Sequence, residues 1–263
     1  VKTERTIQPT ITATVEPTST SLPCSDTKGT ILIEEIPSAI QKESINVKIY
    51  LPPCYSDTGE PYPVLYLLHG MTNTNDQWER LGVFTLMDEL IDSEVINPFI
   101  VVLPNENNSN KPSNNSSYGE ALIKDVLPYI ENHSNSCTTR SCRAIGGLSR
   151  GGNWAVRLGV SFPEEFTVVG AHSTPLFYGE ISNIEKAVEK ANSPADLPTF
   201  FIDVGDRDED KLDVFSFVKT LNELEVPYLF TEYIGYHDEV YWGAHLKDYL
   251  LWYSSQITSG TKE

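Results

Sequence analysis

Basic residues are scarce in this chain of 263 residues, which has 19 lysines and arginines against 37 aspartates and glutamates and a net charge of -18. Nucleic acids and anionic membrane surfaces bind clustered positive charge, so this shortage argues against both as partners. The sequence also lacks any run of about 18 apolar residues, so we predict no transmembrane segment. Hydrophobic residues nevertheless make up 40% of the chain, which is typical of a globular protein.

Cysteines are also few, and all four are candidates for disulfide bonds. None has the C-x-x-C spacing or the paired histidines of a zinc site, so we predict no metal. Four cysteines allow three pairings, and the sequence alone does not choose among them. Cys137 and Cys142 bracket a short polar turn and are the easiest pair to close, which would leave Cys24 to pair with Cys54. Two disulfides would indicate an oxidising compartment, and four free buried thiols are the alternative.

Residues 1–28 are rich in threonine, proline and serine and have no hydrophobic periodicity. Such composition is typical of an extended linker, so we expect a tether outside the cytoplasm, in a secreted or envelope-anchored protein, with a disordered terminus of no consequence as the alternative. A second polar segment, residues 105–117, is expected to be a surface loop beside the site, with simple low complexity as the alternative. The remaining residues, 29–263, are predicted to form a single catalytic domain.

Apolar runs alternate with helical patterns through this domain. Val64–Leu68 and Phe99–Leu103 are continuously apolar, as expected for parallel strands covered on both faces. Residues 45–51 alternate between apolar and polar side chains, which favours a half-exposed strand. Residues 120–131 have the apolar spacing of an amphipathic helix. The pattern predicts an α/β fold with a mostly parallel central sheet, helices on both faces and antiparallel strands at the N-terminal edge.

The run Gly147-Leu148-Ser149-Arg150-Gly151 reads G-x-S-x-G, the pattern of a nucleophile elbow. In an elbow a buried strand turns sharply into a helix, and small residues around the serine prevent side-chain clashes. The pentapeptide alone is a weak signal, because glycine-rich turns with a serine are common. If the interpretation holds, Ser149 attacks an ester or acyl carbonyl.

A serine nucleophile needs a base, which follows an acid along the chain in doubly wound hydrolases. Three histidines follow Ser149. His237 falls in a loop between the last strand and the last helix, so we predict that it is the base. His172 comes too early to follow an acid, and His245 lies inside the final helix.

The acid should follow the preceding strand, where Asp206, Asp208, Glu209 and Asp210 are all available. Its role is to orient the imidazole and stabilise the imidazolium. Position alone leaves Asp206 and Asp208 open, whereas Glu209 and Asp210 are expected to cap the next helix.

An oxyanion hole needs two backbone N–H groups. The residue after the nucleophile, Arg150, supplies one, and we predict that Met71 supplies the other from the loop after the early buried strand. In that loop His69-Gly70 lets the backbone turn close to the substrate. The His69 side chain is expected mainly to form structural hydrogen bonds within the loop. All these segments follow strands, where open α/β sheets place their sites.

These segments together resemble the branch of α/β-hydrolases described as putative esterases, which includes esterase D and feruloyl esterase domains. The resemblance covers about residues 30–256 and rests on Tyr62–Gly70, Gly146–Gly152, Val204–Asp208 and Gly235–Asp238. It implies the α/β-hydrolase fold, and its G-x-x-D pattern selects Asp208 as the acid. Arg150 departs from it, since many relatives carry methionine there, and a cation beside the nucleophile could alter acyl or leaving-group preference.

The resemblance implies a secreted serine carboxylic-ester hydrolase that needs no cofactor and forms an acyl-enzyme. We expect feruloyl or acetyl esters of plant-polysaccharide type as substrates, small or polymeric. His69 and Gly70 and the aromatic residues Trp78, Tyr178 and Trp242 are predicted to contact substrate, with core or lid packing as the alternative for the aromatics. Other hypotheses are a short-chain esterase, an S-formylglutathione hydrolase-like thioesterase, an acyltransferase to a sugar and a degenerate carbohydrate-binding relative. The oligomeric state stays open.

Overall fold

A computed structural model describes residues 24–193 and 196–258, so most of the predicted linker lies outside the described residues. Within these ranges eight strands form one sheet. They are β1 Thr30–Ser38, β2 Glu43–Leu51, β3 Val64–Leu68, β4 Ile100–Pro104, β5 Arg143–Leu148, β6 Val168–His172, β7 Thr199–Gly205 and β8 Tyr228–Tyr233.

Eight α-helices connect or follow these strands in the same part of the chain. They are α1 Gln77–Arg80, α2 Val83–Asp92, α3 Tyr118–Ala121, α4 Leu127–His133, α5 Arg150–Ser161, α6 Glu180–Lys190, α7 Lys211–Glu223 and α8 Glu239–Gln256. A π-helical stretch, Leu122–Val126, joins α3 to α4, so the amphipathic pattern at residues 120–131 corresponds to one continuous helical segment.

The sheet has the order β1-β2-β4-β3-β5-β6-β7-β8. β1 pairs antiparallel with β2, and β2 pairs antiparallel with β4. All the remaining pairs are parallel. The predicted architecture, a mostly parallel sheet with an antiparallel N-terminal edge, is therefore confirmed. Because the strands from β3 onward are parallel, their carboxyl ends open on one edge of the sheet.

The core lies on both faces of the sheet, as a continuously apolar strand requires. Along β3, Tyr66 and its alternate neighbours pack into one cluster with α4, α5 and α7. Leu65 and Leu67 pack into the opposite cluster with α2 and α8. Successive side chains of a strand point to opposite faces, so the run Val64–Leu68 contributes to both clusters at once.

Two disulfide bonds lie in the described part of the chain. Cys24 pairs with Cys54, and Cys137 pairs with Cys142, so the predicted pairing is confirmed. The first bond fastens residues 24–28 to the loop after β2, next to the hydrogen bond from the Gly29 N–H to Asp88 (2.8 Å). Among the described helices none combines the length and apolar character needed to cross a membrane.

Candidate active site

Ser149 lies at the junction between β5 and α5, in a backbone conformation that L-residues rarely adopt. Its φ is 50° and its ψ is -114°. Its N–H donates to the carbonyl of His172 on the neighbouring strand (2.9 Å), and its own carbonyl accepts the N–H of Asn153 (3.1 Å). These bonds hold the strained residue in place. This is the geometry expected of a nucleophile elbow.

Glycine is required on both sides of this turn because strand and helix nearly touch. A Cβ on Gly147 would lie 2.2 Å from the carbonyl carbon of Gly151. A Cβ on Gly151 would lie 2.1 Å from the carbonyl oxygen of Leu68, at the end of β3. The two glycines of the motif therefore serve close backbone approach.

His237 follows β8, and Asp208 follows β7, so the two side chains meet at the carboxyl edge of the sheet. The imidazole Nδ1 lies 3.0 Å and 3.1 Å from the two carboxylate oxygens of Asp208. Asp208 also accepts the backbone N–H of Asp210 (2.8 Å). Asp206 does not face the imidazole; its carboxylate accepts the N–H of Gly235 (2.9 Å) and so fixes the loop that carries His237.

The electrostatics of this pair suit a histidine that gains a proton. Burial alone would raise the pKa of Asp208, but the hydrogen bonds from His237 and the Asp210 N–H hold that pKa below its ordinary value. Burial alone would lower the pKa of His237, but the carboxylate of Asp208, with further charge from Asp210 and Glu209, raises it above the ordinary value. The charged form of each partner stabilises that of the other.

Two backbone N–H groups are available beside Ser149. The Arg150 N–H is in the first turn of α5, where N–H groups have no partner within the helix. The Met71 N–H has no acceptor among the residues that the structure describes. Flanking bonds fix the Met71 loop, since the Gly70 N–H donates to Gln77 Oε1 (2.8 Å) and the Thr72 N–H donates to Ser109 Oγ (3.1 Å).

Ser149, His237, Met71 and Arg150 all line one cleft of about 680 Å³. Gly70 and Trp242 line it too, and Tyr178 stands fully exposed at its rim. Trp242 packs edge-on against His237, with ring centroids 5.1 Å apart. Four carboxylates, those of Glu209, Asp210, Asp238 and Glu239, also border the cleft.

Of the predicted substrate contacts, Trp78 is corrected, and His69 has the loop-bonding role that was mainly expected of it. Trp78 does not reach the cleft: it is completely buried, and its indole N–H donates to the carbonyl of Leu68 (3.0 Å). His69 is also buried, and both of its ring nitrogens are occupied by backbone groups of Gly70 and Glu106, at 2.8 Å each. Both side chains hold the loops around the cleft, and neither touches it.

Sequence reasoning missed the partner of Arg150. The guanidinium makes two bonds to Glu106 Oε2 and Oε1, at 2.8 Å and 2.6 Å, and both side chains are buried. The Trp154 indole N–H adds a third bond to the same carboxylate (3.1 Å). The cation beside the nucleophile is therefore paired with a buried carboxylate, and its effect on acyl or leaving-group preference stays a prediction. One signal in the sequence could have pointed to this pair. Arg150 stands where many relatives carry methionine, and an arginine at such a position needs an acidic partner.

A second polar cluster lies beneath the elbow and was also missed. His172 Nδ1 is 2.5 Å from Asp203 Oδ1, and the other Asp203 oxygen accepts the hydroxyls of Tyr241 (2.6 Å) and Tyr249 (2.8 Å). Tyr253 completes it at His172 Nε2 (3.0 Å). His172 and Asp203 are completely buried, so they have no access to a substrate in the cleft.

Among the described residues one group has the composition and spacing to hold a metal ion, namely Asp208, Asp210 and His237. The His237 Nδ1 atom is already hydrogen-bonded to Asp208, and Asp210 lies farther away at 3.7 Å. The histidine–carboxylate pair accounts for this grouping without an ion.

Comparison with known proteins identifies a family for this chain. Residues 38–254 match a family model described as "Putative esterase". An esterase of Mycobacterium tuberculosis is 30% identical over 136 residues, which are 49% of this chain and 29% of that protein. An endo-1,4-beta-xylanase/feruloyl esterase of Xylanibacter ruminicola is 29% identical over 176 residues, which are 61% of this chain and 22% of that protein. The chain thus spans less than a third of the length of these curated relatives.

Solved structures are similar over nearly the whole described domain. A ferulic acid esterase is 29% identical with a TM-score of 0.77, over 88% of this chain and 99% of that chain. The feruloyl esterase module from Clostridium thermocellum has a TM-score of 0.78 at 17% identity, over 98% and 100%. An S-formylglutathione hydrolase from Staphylococcus aureus has a TM-score of 0.74 at 21% identity, over 88% and 99%. The last two likenesses bear on the fold alone.

Proposed function

Because this chain belongs to the putative esterase family and is by that membership a serine carboxylic-ester hydrolase, we propose that Ser149, His237 and Asp208 are its catalytic triad and that it cleaves feruloyl or acetyl esters. One observation carries the proposal. A serine held in a strained elbow shares a cleft with a histidine whose Nδ1 is bound to a buried carboxylate.

The proposed mechanism follows from the atoms at this site. Asp208 holds the Nδ1–H of His237, which leaves Nε2 to take the proton of Ser149 as the serine oxygen attacks the acyl carbon. Negative charge then develops on the carbonyl oxygen, where the N–H groups of Met71 and Arg150 stabilise it. Protonated His237 delivers the proton to the leaving alcohol. Water, activated by the same histidine, then hydrolyses the acyl-enzyme.

The lining of the cleft supports neutral esters with an aromatic or sugar component. Exposed Tyr178 offers aromatic surface for such groups, and Trp242, which is largely buried, adds an aromatic edge to the lining of the cleft. The four carboxylates at the border repel anions, which disfavours a glutathione thioester with its carboxylates. The ferulic acid esterase at 29% identity supports the feruloyl class. Transfer to a sugar hydroxyl would use the same acyl-enzyme, with the sugar replacing water.

We further propose an extracellular or envelope-tethered location, with residues 1–28 as the tether. The two disulfides support an oxidising compartment. The composition of the tail supports an extended spacer.

Replacing the nucleophile tests the proposal. Ser149→Ala should lower kcat for p-nitrophenyl acetate by about 10⁴-fold or more, because the nucleophile is lost. The matched control is Ser161→Ala, at the exposed far end of the same helix, which should keep wild-type turnover. Methyl ferulate, acetylated xylan and S-formylglutathione, compared by kcat/KM, rank the substrate classes. Undiminished turnover by Ser149→Ala would refute the triad, and preference for S-formylglutathione would refute the substrate class.

A further inference from the structure

We propose that the buried Arg150–Glu106 ion pair, acting with His69, positions both backbone donors of the oxyanion hole. The inference rests on the proposed function, because it concerns the N–H groups of Met71 and Arg150. Arg150, Glu106 and His69 are positioning residues in this scheme, and none of their side chains touches the reacting atoms.

The ion pair connects the start of α5 to the loop after β4. Arg150 is the first residue of α5, so its backbone carries one oxyanion donor while its side chain binds Glu106 through two hydrogen bonds. A bidentate pair fixes direction as well as distance. The guanidinium also lies over the ring of Phe177, with the Arg150 Cζ atom 5.5 Å from the ring centroid. Glu106 is thereby held in one position relative to α5.

His69 connects Glu106 to the second donor. The backbone N–H of Glu106 donates to His69 Nε2 (2.8 Å), so that nitrogen is an acceptor and carries no proton. In a neutral imidazole the proton must then be on Nδ1, which donates to the carbonyl of Gly70 (2.8 Å). Burial lowers the pKa of His69 and so keeps the ring neutral, while the two hydrogen bonds select the tautomer.

The Gly70 carbonyl belongs to the same peptide group as the Met71 N–H. Peptide groups are planar, so fixing the carbonyl oxygen fixes the direction of the N–H on the opposite side. Donation to the carbonyl also polarises the peptide, which makes its N–H a better donor. A continuous path therefore runs from the Arg150 side chain through Glu106 and His69 to the Met71 N–H.

The same helix carries a control for this path. Arg157, two turns farther along α5, binds Glu180, which is completely buried, at 2.7 Å. It also lies over Phe177, at 4.7 Å. No hydrogen bond among the described residues connects this pair to Met71. Loss of either arginine leaves a buried carboxylate unpaired, so both losses should destabilise the fold.

The test compares Arg150→Met, Arg157→Met and the double variant Arg150→Met/Glu106→Gln. Each kcat for p-nitrophenyl acetate is divided by the active sites titrated with a fluorophosphonate, so that misfolded protein does not count. Arg150→Met should lower this kcat between about 10- and 100-fold, with KM changed less than about 2-fold. The double variant should regain thermal stability, because it buries no unpaired charge, without regaining kcat. Arg157→Met should lose stability and keep its kcat.

Two further measurements make the result specific. The affinity for a trifluoromethyl ketone, which places an oxyanion in the hole, should fall in parallel with kcat/KM. Nitrogen-15 NMR of the wild-type chain should show His69 neutral, with its proton on Nδ1, and this result does not depend on any variant folding. A kcat that follows thermal stability across the variants, or a proton on Nε2, would overturn the inference. If Ser149→Ala abolishes turnover but Arg150→Met does not lower it, only the positioning role fails.

Discussion

Replacing Asp208 by asparagine tests the proposed triad at the contact between its carboxylate and His237 Nδ1. In the wild type Asp208 Oδ1 accepts the Asp210 N–H, and both carboxylate oxygens lie within 3.1 Å of His237 Nδ1. Asparagine has one acceptor oxygen. If that oxygen keeps the Asp210 N–H, the amide NH₂ faces His237 and forces Nδ1 to become the acceptor.

The consequence is the wrong tautomer. With Nδ1 unprotonated, the proton of a neutral imidazole is on Nε2, which can no longer accept the proton of Ser149. A change of this kind in a serine protease lowers kcat by about 10⁴-fold, equivalent to about 5 kcal/mol of barrier. We expect a loss of that size for Asp208→Asn in p-nitrophenyl acetate hydrolysis at pH 8, normalised to titrated sites.

Asp206→Asn is the matched control. The amide oxygen of asparagine can still accept the Gly235 N–H that Asp206 accepts at 2.9 Å, so kcat should change only a few-fold. Circular dichroism and thermal unfolding establish that both variants fold. A larger loss for Asp206→Asn than for Asp208→Asn would refute the assignment of the acid.

Two further predictions concern the base and the elbow. Because Asp208 and its neighbours raise the pKa of His237, kcat/KM should fall as pH decreases through a value above 6.5, and a profile that stays flat to pH 5 would exclude His237 as the base. Gly147→Ala should cost at least about 3 kcal/mol of unfolding free energy in urea titrations, since its Cβ would lie 2.2 Å from Gly151. Gly243→Ala, at an exposed position of α8 where the added Cβ would make only an ordinary contact with Leu81 (3.7 Å), should instead stabilise by about 0.5–1 kcal/mol; equal effects would contradict the steric argument.

The strands of the sheet were predicted well because the apolar run that marks a buried strand is a local feature of the sequence. Val64–Leu68 is apolar at every position, and the structure buries all five side chains. The helix α2, Val83–Asp92, escaped prediction although its apolar residues lie on one face. It begins after Gly82 in a left-handed conformation, without the Ser, Thr, Asp or Asn that usually marks a helix start.

Interactions between distant segments were beyond sequence reasoning. Trp78 looks like a rim aromatic by its position after β3, but whether an indole faces a cleft depends on where its N–H finds an acceptor, here Leu68. Glu106 is 44 residues from Arg150 in the chain. It is the only acidic residue of the polar segment 105–117, but the sequence does not show that this segment lies against Arg150. A single sequence shows which residues are charged, whereas pairing depends on how strands bring loops together.

The surplus of carboxylates after β7 shows how geometry assigns roles that composition cannot. Asp206 accepts Gly235 and fixes the histidine loop, while Asp208 accepts His237 itself. Asp210 occupies the N-cap position of α7 but its side chain makes no capping bond; it lies 3.7 Å from His237 instead, which corrects the expectation that it caps the helix. The three acidic residues at alternate positions therefore act on the histidine loop differently: Asp206 fixes its backbone, Asp208 binds the imidazole and Asp210 adds negative charge nearby. They can do so because the segment between β7 and α7 turns all three side chains toward that loop. The charge that Asp210 adds favours the protonated imidazole, so it contributes most when His237 has taken the proton of Ser149.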